Sequence, residues 1–321
     1  MKRLIAILFL TSLAAGVFAL PNLLKKEEFG ANAIENLDFS LTMENIKIEE
    51  TLDSSSIEVE IYCNYKKFIP EVSVSGSTLY IESSRRGVSF FPNPTGLSCT
   101  LIVYVPQKKD FREISIHASS GDIEITRQLS AKSEIRIATS SGDINSNKGL
   151  FADEITVTAS SGDIELYNID ADNFKVHTTS GDRTVRKFTG EEGDIHSTSG
   201  DVKADDFGSE YAKFSTTSGS ISVKKLDCDY FDVDSTSGSI TIELKNAPAA
   251  SSSIECTSGD VDLYLPLRSK FSIEASCSSG TFRDKFNNNR MNPRETYKMD
   301  YNGGGSVIRL HTTSGDITLD Y

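Results

Sequence analysis

Seven aspartates of this chain each follow a Ser-Gly pair, and the first five, Asp122, Asp143, Asp163, Asp182 and Asp201, recur at intervals of 19 to 21 residues. Carboxylates repeated in this way fall into one column if the units carrying them stack at the strand spacing of about 4.8 Å. Neighbours at that distance repel by about 0.9 kcal/mol in water. Solvated side chains withstand this, or the column shares a hard cation such as Ca²⁺. The five aspartates are therefore candidate binding residues and Ca²⁺ a candidate cofactor, against which stands the lack of the G-G-x-G-x-D pattern of calcium-binding β-rolls.

The four histidines, His117, His177, His196 and His311, each stand four residues before a Ser-Gly glycine, where other units carry Ala138, Thr158, Ser215 or Asp234. That is one mostly polar column and not a single constellation. Only His177 and His196 fall on consecutive units, where a two-histidine metal site would have to form. Paired acids such as Glu191-Glu192 and Asp205-Asp206 lie in expected return turns, where solvated charge is ordinary. No group of Asp, His and Arg stands out from the repeat background, so no catalytic residue is assigned. Of five cysteines, Cys256 and Cys277 share one column on successive units. Adjacent strands would bring them within disulfide range; two buried thiols fit the column equally. Cys63, Cys99 and Cys228 have no evident partner.

The element that must position these residues is the repeat itself. Its glycines are at 121, 142, 162, 181, 200, 219, 238, 259, 280 and 315. A period near 20 over so long a stretch marks a stack of like units. Seven and five residues before the glycine the columns are largely apolar, as in Ile114, Ile116, Phe174 and Val176, and three before it the residue is always small. Alternate residues of a strand share a face, so these three columns point inward. Two residues after the glycine a second aliphatic column begins a shorter strand. No unit can bury its apolar face alone, but stacking closes a continuous core. The expected fold is all-β, a single parallel β-helix of about ten 19–21-residue rungs. The glycine is expected at positive φ in the corner. Arg183 breaks the second aliphatic column, which implies a bulge or an outward side chain. The 282–305 segment, with three asparagines and three glycines in a row, is expected to project as a loop before the last rung.

Ahead of the repeats, residues 37–110 alternate apolar and polar, as half-buried strands do, and form a β-rich lead-in or cap with a hairpin near Gly76. Residues 20–36 read as linker. Lys2-Arg3, an apolar run and Val17-Phe18-Ala19 have the layout of a signal peptide over 1–19. The chain carries a formal charge of −13, and loss of Lys2 and Arg3 makes the mature chain −13 − 2 = −15. Duplex binding depends on Lys and Arg neutralising phosphates, so nucleic acid is not expected as a partner. No transmembrane segment is expected after cleavage.

The serial Ser-Gly-Asp-Ile units, the lead-in strand Leu101-Ile-Val-Tyr-Val-Pro106, the related Val261-Asp-Leu-Tyr-Leu-Pro266 and the closing run 305–319 resemble those of the bacterial exported "putative adhesin" family of β-strand repeat proteins, catalogued as a domain of unknown function. The resemblance covers roughly Asp38 to the end and implies a parallel β-helix, with no catalytic residues assigned to the family. The expectation is a non-enzymatic exported β-solenoid, periplasmic, cell-surface or secreted, acting as an adhesin or envelope-associated scaffold with a cell-surface glycan or envelope protein as partner. The alternative is a carbohydrate-active β-helix enzyme, a polysaccharide lyase or hydrolase. The two least repetitive stretches, 85–96 and 282–305, are the expected surfaces for specific contact.

Overall fold

The computed structural model describes residues 22–84, 98–292 and 294–321. The signal segment and the 85–96 loop lie outside the described residues. The protein is all-β and solenoid-like, with two 3-10 turns and no α-helix among the described residues. The strand before each repeat glycine pairs in parallel with its equivalents, and inward residues keep register: Ile135 lies between Ile114 and Ile155, and Val176 between Val157 and Ile195. A second parallel row starts after the glycine, with Ile123, Ile144 and Ile164 side by side. A third short row passes through Leu129, Leu150 and Ile169, then Phe188 and Phe207. The inward aliphatics of all three rows are buried.

Aromatic rings adjust the core where the small columns thin out. Gly193 stands in a largely apolar column, and a Cβ there would lie 2.3 Å from the Phe207 ring. Phe188 and Phe207 fill that space, with ring centroids 4.6 Å apart.

Neither end follows chain order. Strands Asn36–Leu41 and Asn45–Thr51, expected in a separate cap, form a rung of the same stack. It is inserted between Thr78–Glu82 with Cys99–Pro106 on one side and Phe111–Ala118 with Ile123–Ile125 on the other. At the opposite end Val307–Ser314 and Ile317–Asp320 are inserted between the Gly259 unit and the Gly280 unit. The last rung in the chain is therefore the last but one in space.

Antiparallel strands cover both ends, which answers the hazard of open strand edges. At the N-terminal end Leu23–Gly30 pairs with Ser56–Cys63, which pairs with Cys99–Pro106, and Glu71–Ser75 turns at Gly76 onto Thr78–Glu82. Leu23–Gly30, expected as linker, is thus a strand. At the C-terminal end Thr296–Tyr301 lies on Phe271–Ser279, and Asn289–Met291 on Phe282–Asp284. The expected projecting loop over 282–305 instead folds back as this cover. Buried Asp284 holds it, accepting hydrogen bonds from the hydroxyls of Tyr297 and Tyr301, both at 2.9 Å.

The intercalation also decides the cysteines. Thr312 lies in register between Cys256 and Cys277, so the two are separated by a whole rung and their thiols are free. The disulfide joins Cys63 to Cys99 across an antiparallel pair.

Candidate binding surface

The corner is built on close approach. A Cβ placed on any of the ten repeat glycines would lie 1.9–2.4 Å from a backbone carbonyl oxygen of the neighbouring rung, nearer than any side-chain carbon can come. Eight of the ten also have positive φ, while Gly121 and Gly142 do not. Stacking distance, more than turn conformation, therefore requires glycine throughout.

Next to the glycine, the five expected aspartates stand in one ladder. The backbone N–H of Asp143 donates to Oδ1 of Asp122 at 3.0 Å, and the pattern repeats at Asp163, Asp182 and Asp201, where each N–H donates to the preceding carboxylate at 2.8–2.9 Å. Asn45 of the inserted first rung begins the ladder by accepting from the Asp122 N–H at 3.0 Å, and the Ser220 N–H ends it on Asp201. Asn45 was not singled out in the sequence, because its unit lacks the Ser-Gly pair. A second, short ladder runs from Asp260 to Asp316 to Thr281, following the spatial order of the rungs. One oxygen of each carboxylate is thus committed to backbone, and among the described residues no three acidic, histidine or cysteine side chains converge to hold a metal.

Arg183 lies behind this ladder. Its register with Ile164 and Val202 is unbroken, and its side chain points inward and is fully buried. The expected bulge or outward turn does not occur. The guanidinium donates to Thr178 Oγ1 and to the main-chain carbonyls of Asp201 and Ser199. Burial pulls it down to about 10, while Asp182, Asp163 and Asp201 favour its charged form. It stays protonated at neutral pH and places a positive charge beneath the aspartate column.

The outward face of the strands before the glycine carries the histidine column. His177 and His196 are neighbours with ring centroids 5.8 Å apart. His196 is engaged by Ser215 through Nδ1 at 2.8 Å, and burial followed by His177 holds it below the usual histidine range. His311 is likewise engaged by Ser276 at 2.9 Å.

Further along this face is a cluster that column reading missed. Tyr211 and Tyr230 stack with centroids 4.6 Å apart and planes 18° apart, and Tyr230 is 41% exposed. The Tyr211 hydroxyl donates to Asp232 at 3.2 Å, and Ser253 donates to the other oxygen of Asp232 at 2.6 Å. Asp234 and Glu255 are register neighbours beside them. Partial burial, then Glu255 and Asp232, push the Asp234 carboxyl upward. The sequence signal was available: both tyrosines stand eight residues before their glycines, 19 residues apart.

Asp205 and Asp206, expected in a return turn, instead lie within the continuous strand Val202–Ser218 and are engaged with cations. Asp205 meets Arg186 at 2.8 Å, and Asp206 meets Lys245 at 2.7 Å, which holds the Asp206 carboxyl below the usual range.

The Toastrack DUF4097 family model matches residues 34–191 and 147–320, two overlapping stretches that span nearly all the described chain. The chain belongs to the Toastrack DUF4097 family. Among solved structures, one described as a "putative adhesin" from Parabacteroides distasonis is 12% identical, with 93% of this chain and 97% of that one covered and a TM-score of 0.48. Another from the same organism, described as a "putative lipid binding protein", is 12% identical over 92% and 96%, with a TM-score of 0.46. A third, described as a "putative adhesin" from Parabacteroides merdae, is 12% identical over 92% and 95%, with a TM-score of 0.43. No curated protein matches this Toastrack chain. Among its described residues no helix is long and apolar enough to cross a membrane.

Proposed function

We propose that this Toastrack protein is a non-enzymatic, exported adhesin-like protein whose Ser-Gly units form one continuous parallel β-helix and whose outward face binds a cell-surface glycan. The observation that carries the reading is the stacked Tyr211–Tyr230 pair, with Tyr230 exposed and Tyr211 half-buried on the outward β-face beside Asp232, Asp234 and Glu255. Tyrosine rings present apolar faces to the C–H face of a pyranose, and carboxylates accept hydrogen bonds from its hydroxyls. Adjacent parallel rungs set the two rings and the carboxylates Asp232, Asp234 and Glu255 side by side, a span that suits a short stretch of a sugar chain. Export is supported by the leader-like first 19 residues and by the Cys63–Cys99 disulfide, since disulfides persist in oxidising compartments.

The test pairs a glycan array with an assay for newly released reducing ends. Binding without release is expected, weakened about tenfold or more by Tyr230→Ala, which corresponds to roughly 1.4 kcal/mol. Glycan turnover abolished by Asp234→Asn or Glu255→Gln would replace this reading with the carbohydrate-active one. Binding untouched by Tyr230→Ala would move the site elsewhere.

A further inference from the structure

Both ends of the stack contain a rung inserted out of chain order, but only one of them is bolted. At the N-terminal end the Cys63–Cys99 bond ties the strand that follows the inserted rung to the outer rung covering it. At the C-terminal end the inserted rung, 307–320, has no covalent tie, and the three remaining cysteines are free. Its inward side chains Ile308, Leu310, Ile317 and Leu319 are buried, and it pairs on both sides in one register: Ile254, Leu310 and Ala275 lie in line, as do Val261, Ile317 and Phe282.

The segment that leads into this rung has a fixed part and a hinge. Tyr301 is anchored through its hydroxyl to Asp284 and stacks on Phe271 with centroids 4.5 Å apart. Immediately after it, Asn302, Gly303 and Gly304 take φ values of 53°, 98° and 78°. The chain reverses there from the antiparallel cover into the parallel rung. Opening these few residues would release 307–320 while the cover and the outer rung stay in place.

We infer that 307–320 is an exchangeable rung and that its partner is a second copy of this chain, the two copies each filling the other's slot. Every contact of the rung would be recreated across the exchange, so that only the hinge differs between the closed monomer and the exchanged dimer. The balance is then set by hinge geometry and concentration. The inference goes beyond glycan binding and does not depend on it.

Thr312→Cys reports the exchange, because residue 312 is in register with both Cys256 and Cys277. Heavy- and light-isotope preparations of the full-length variant are mixed, unfolded, refolded together, oxidised and digested. The expected result is heavy–light disulfide-linked peptides, joining residue 312 to 256 or 277, in the dimer fraction and only unmixed links in the monomer fraction. Deleting Gly303 and Gly304 should move the population toward dimer, since a short hinge cannot close on itself. If that variant does not fold, the intact hinge decides: its dimer fraction must grow over about a hundredfold rise in concentration during refolding. Unmixed links alone, with a monomeric mass at every concentration, would overturn the inference.

Discussion

A carboxylate that accepts a backbone N–H has a different task from one that binds a ligand, and the ladder separates the two. Asn45 does at the first rung what Asp122 to Asp201 do afterwards, with an amide oxygen in place of a carboxylate oxygen. The acceptor is what the stack needs, and the charge is not. Asp163→Asn should therefore keep the bond to the Asp182 N–H and relieve repulsion with Asp143 and Asp182, leaving stability unchanged or slightly raised. Asp163→Ala removes the acceptor at 2.8 Å and should cost about 1 kcal/mol. Urea denaturation of the two variants checks both values; equal losses would mean that the negative charge itself is used. Arg183 limits that gain, since its buried guanidinium is favoured by Asp182, Asp163 and Asp201, and Asp163→Asn removes one of these three charges.

At the scale of strands, the units could be read because their columns repeat. Ile114, Ile116, Phe174 and Val176 were legible as inward residues from spacing alone, and all are buried. Stacking order was not legible, since every unit carries the same columns and nothing within one names its neighbour. Thr312 separates Cys256 from Cys277 for this reason. Arg183 misled because a charge in an aliphatic column reads as an exception, whereas carbonyls and Thr178 receive it inside. Leu23–Gly30 looked like linker because its charges hide a strand that pairs on only one side. The tyrosine pair was overlooked because it lies outside the apolar columns that organised the reading.

The inserted C-terminal rung also predicts a pH effect. The Asp316 carboxyl is held below its ordinary value of 3.8 chiefly by the Thr281 backbone N–H, and Asp320 is held below 3.8 chiefly by Lys285. A depressed folded value means stability that is complete above the ordinary value and lost as pH falls through the lowered one. Both carboxylates are half-buried surface groups whose cation partners Arg283 and Lys285 are exposed, so each contribution is small. Amides of 307–320 should thus lose protection against hydrogen exchange, after correction for intrinsic rates, as pH drops from neutrality to below 3.8. Amides of the central rungs around Phe214 should change less. Equal loss in both regions would show that the end rung is not separately titrated.

In a stack where each rung touches only its neighbours, unfolding propagates from the weaker end. Here the ends are unequal: both are covered by antiparallel strands and both hold an inserted rung, but only the N-terminal one is cross-linked. The bond joins residues 36 apart in sequence. On the chain-entropy model a loop of that size is worth about 3–4 kcal/mol. Native-state hydrogen exchange should therefore find the least protected rungs at 271–284 and 307–320, with protection rising toward the middle and staying high as far as Asn45–Thr51. Removing the bond with Cys63→Ser and Cys99→Ser should lower the denaturation free energy by about that amount and bring protection at the N-terminal end down to that of the C-terminal end. The asymmetry has to vanish with the bond. If the N-terminal rungs of the double variant stay as protected as before, then packing of Leu23–Gly30 and Ser56–Cys63 on the end rung, and not the cross-link, sets the direction in which the molecule opens.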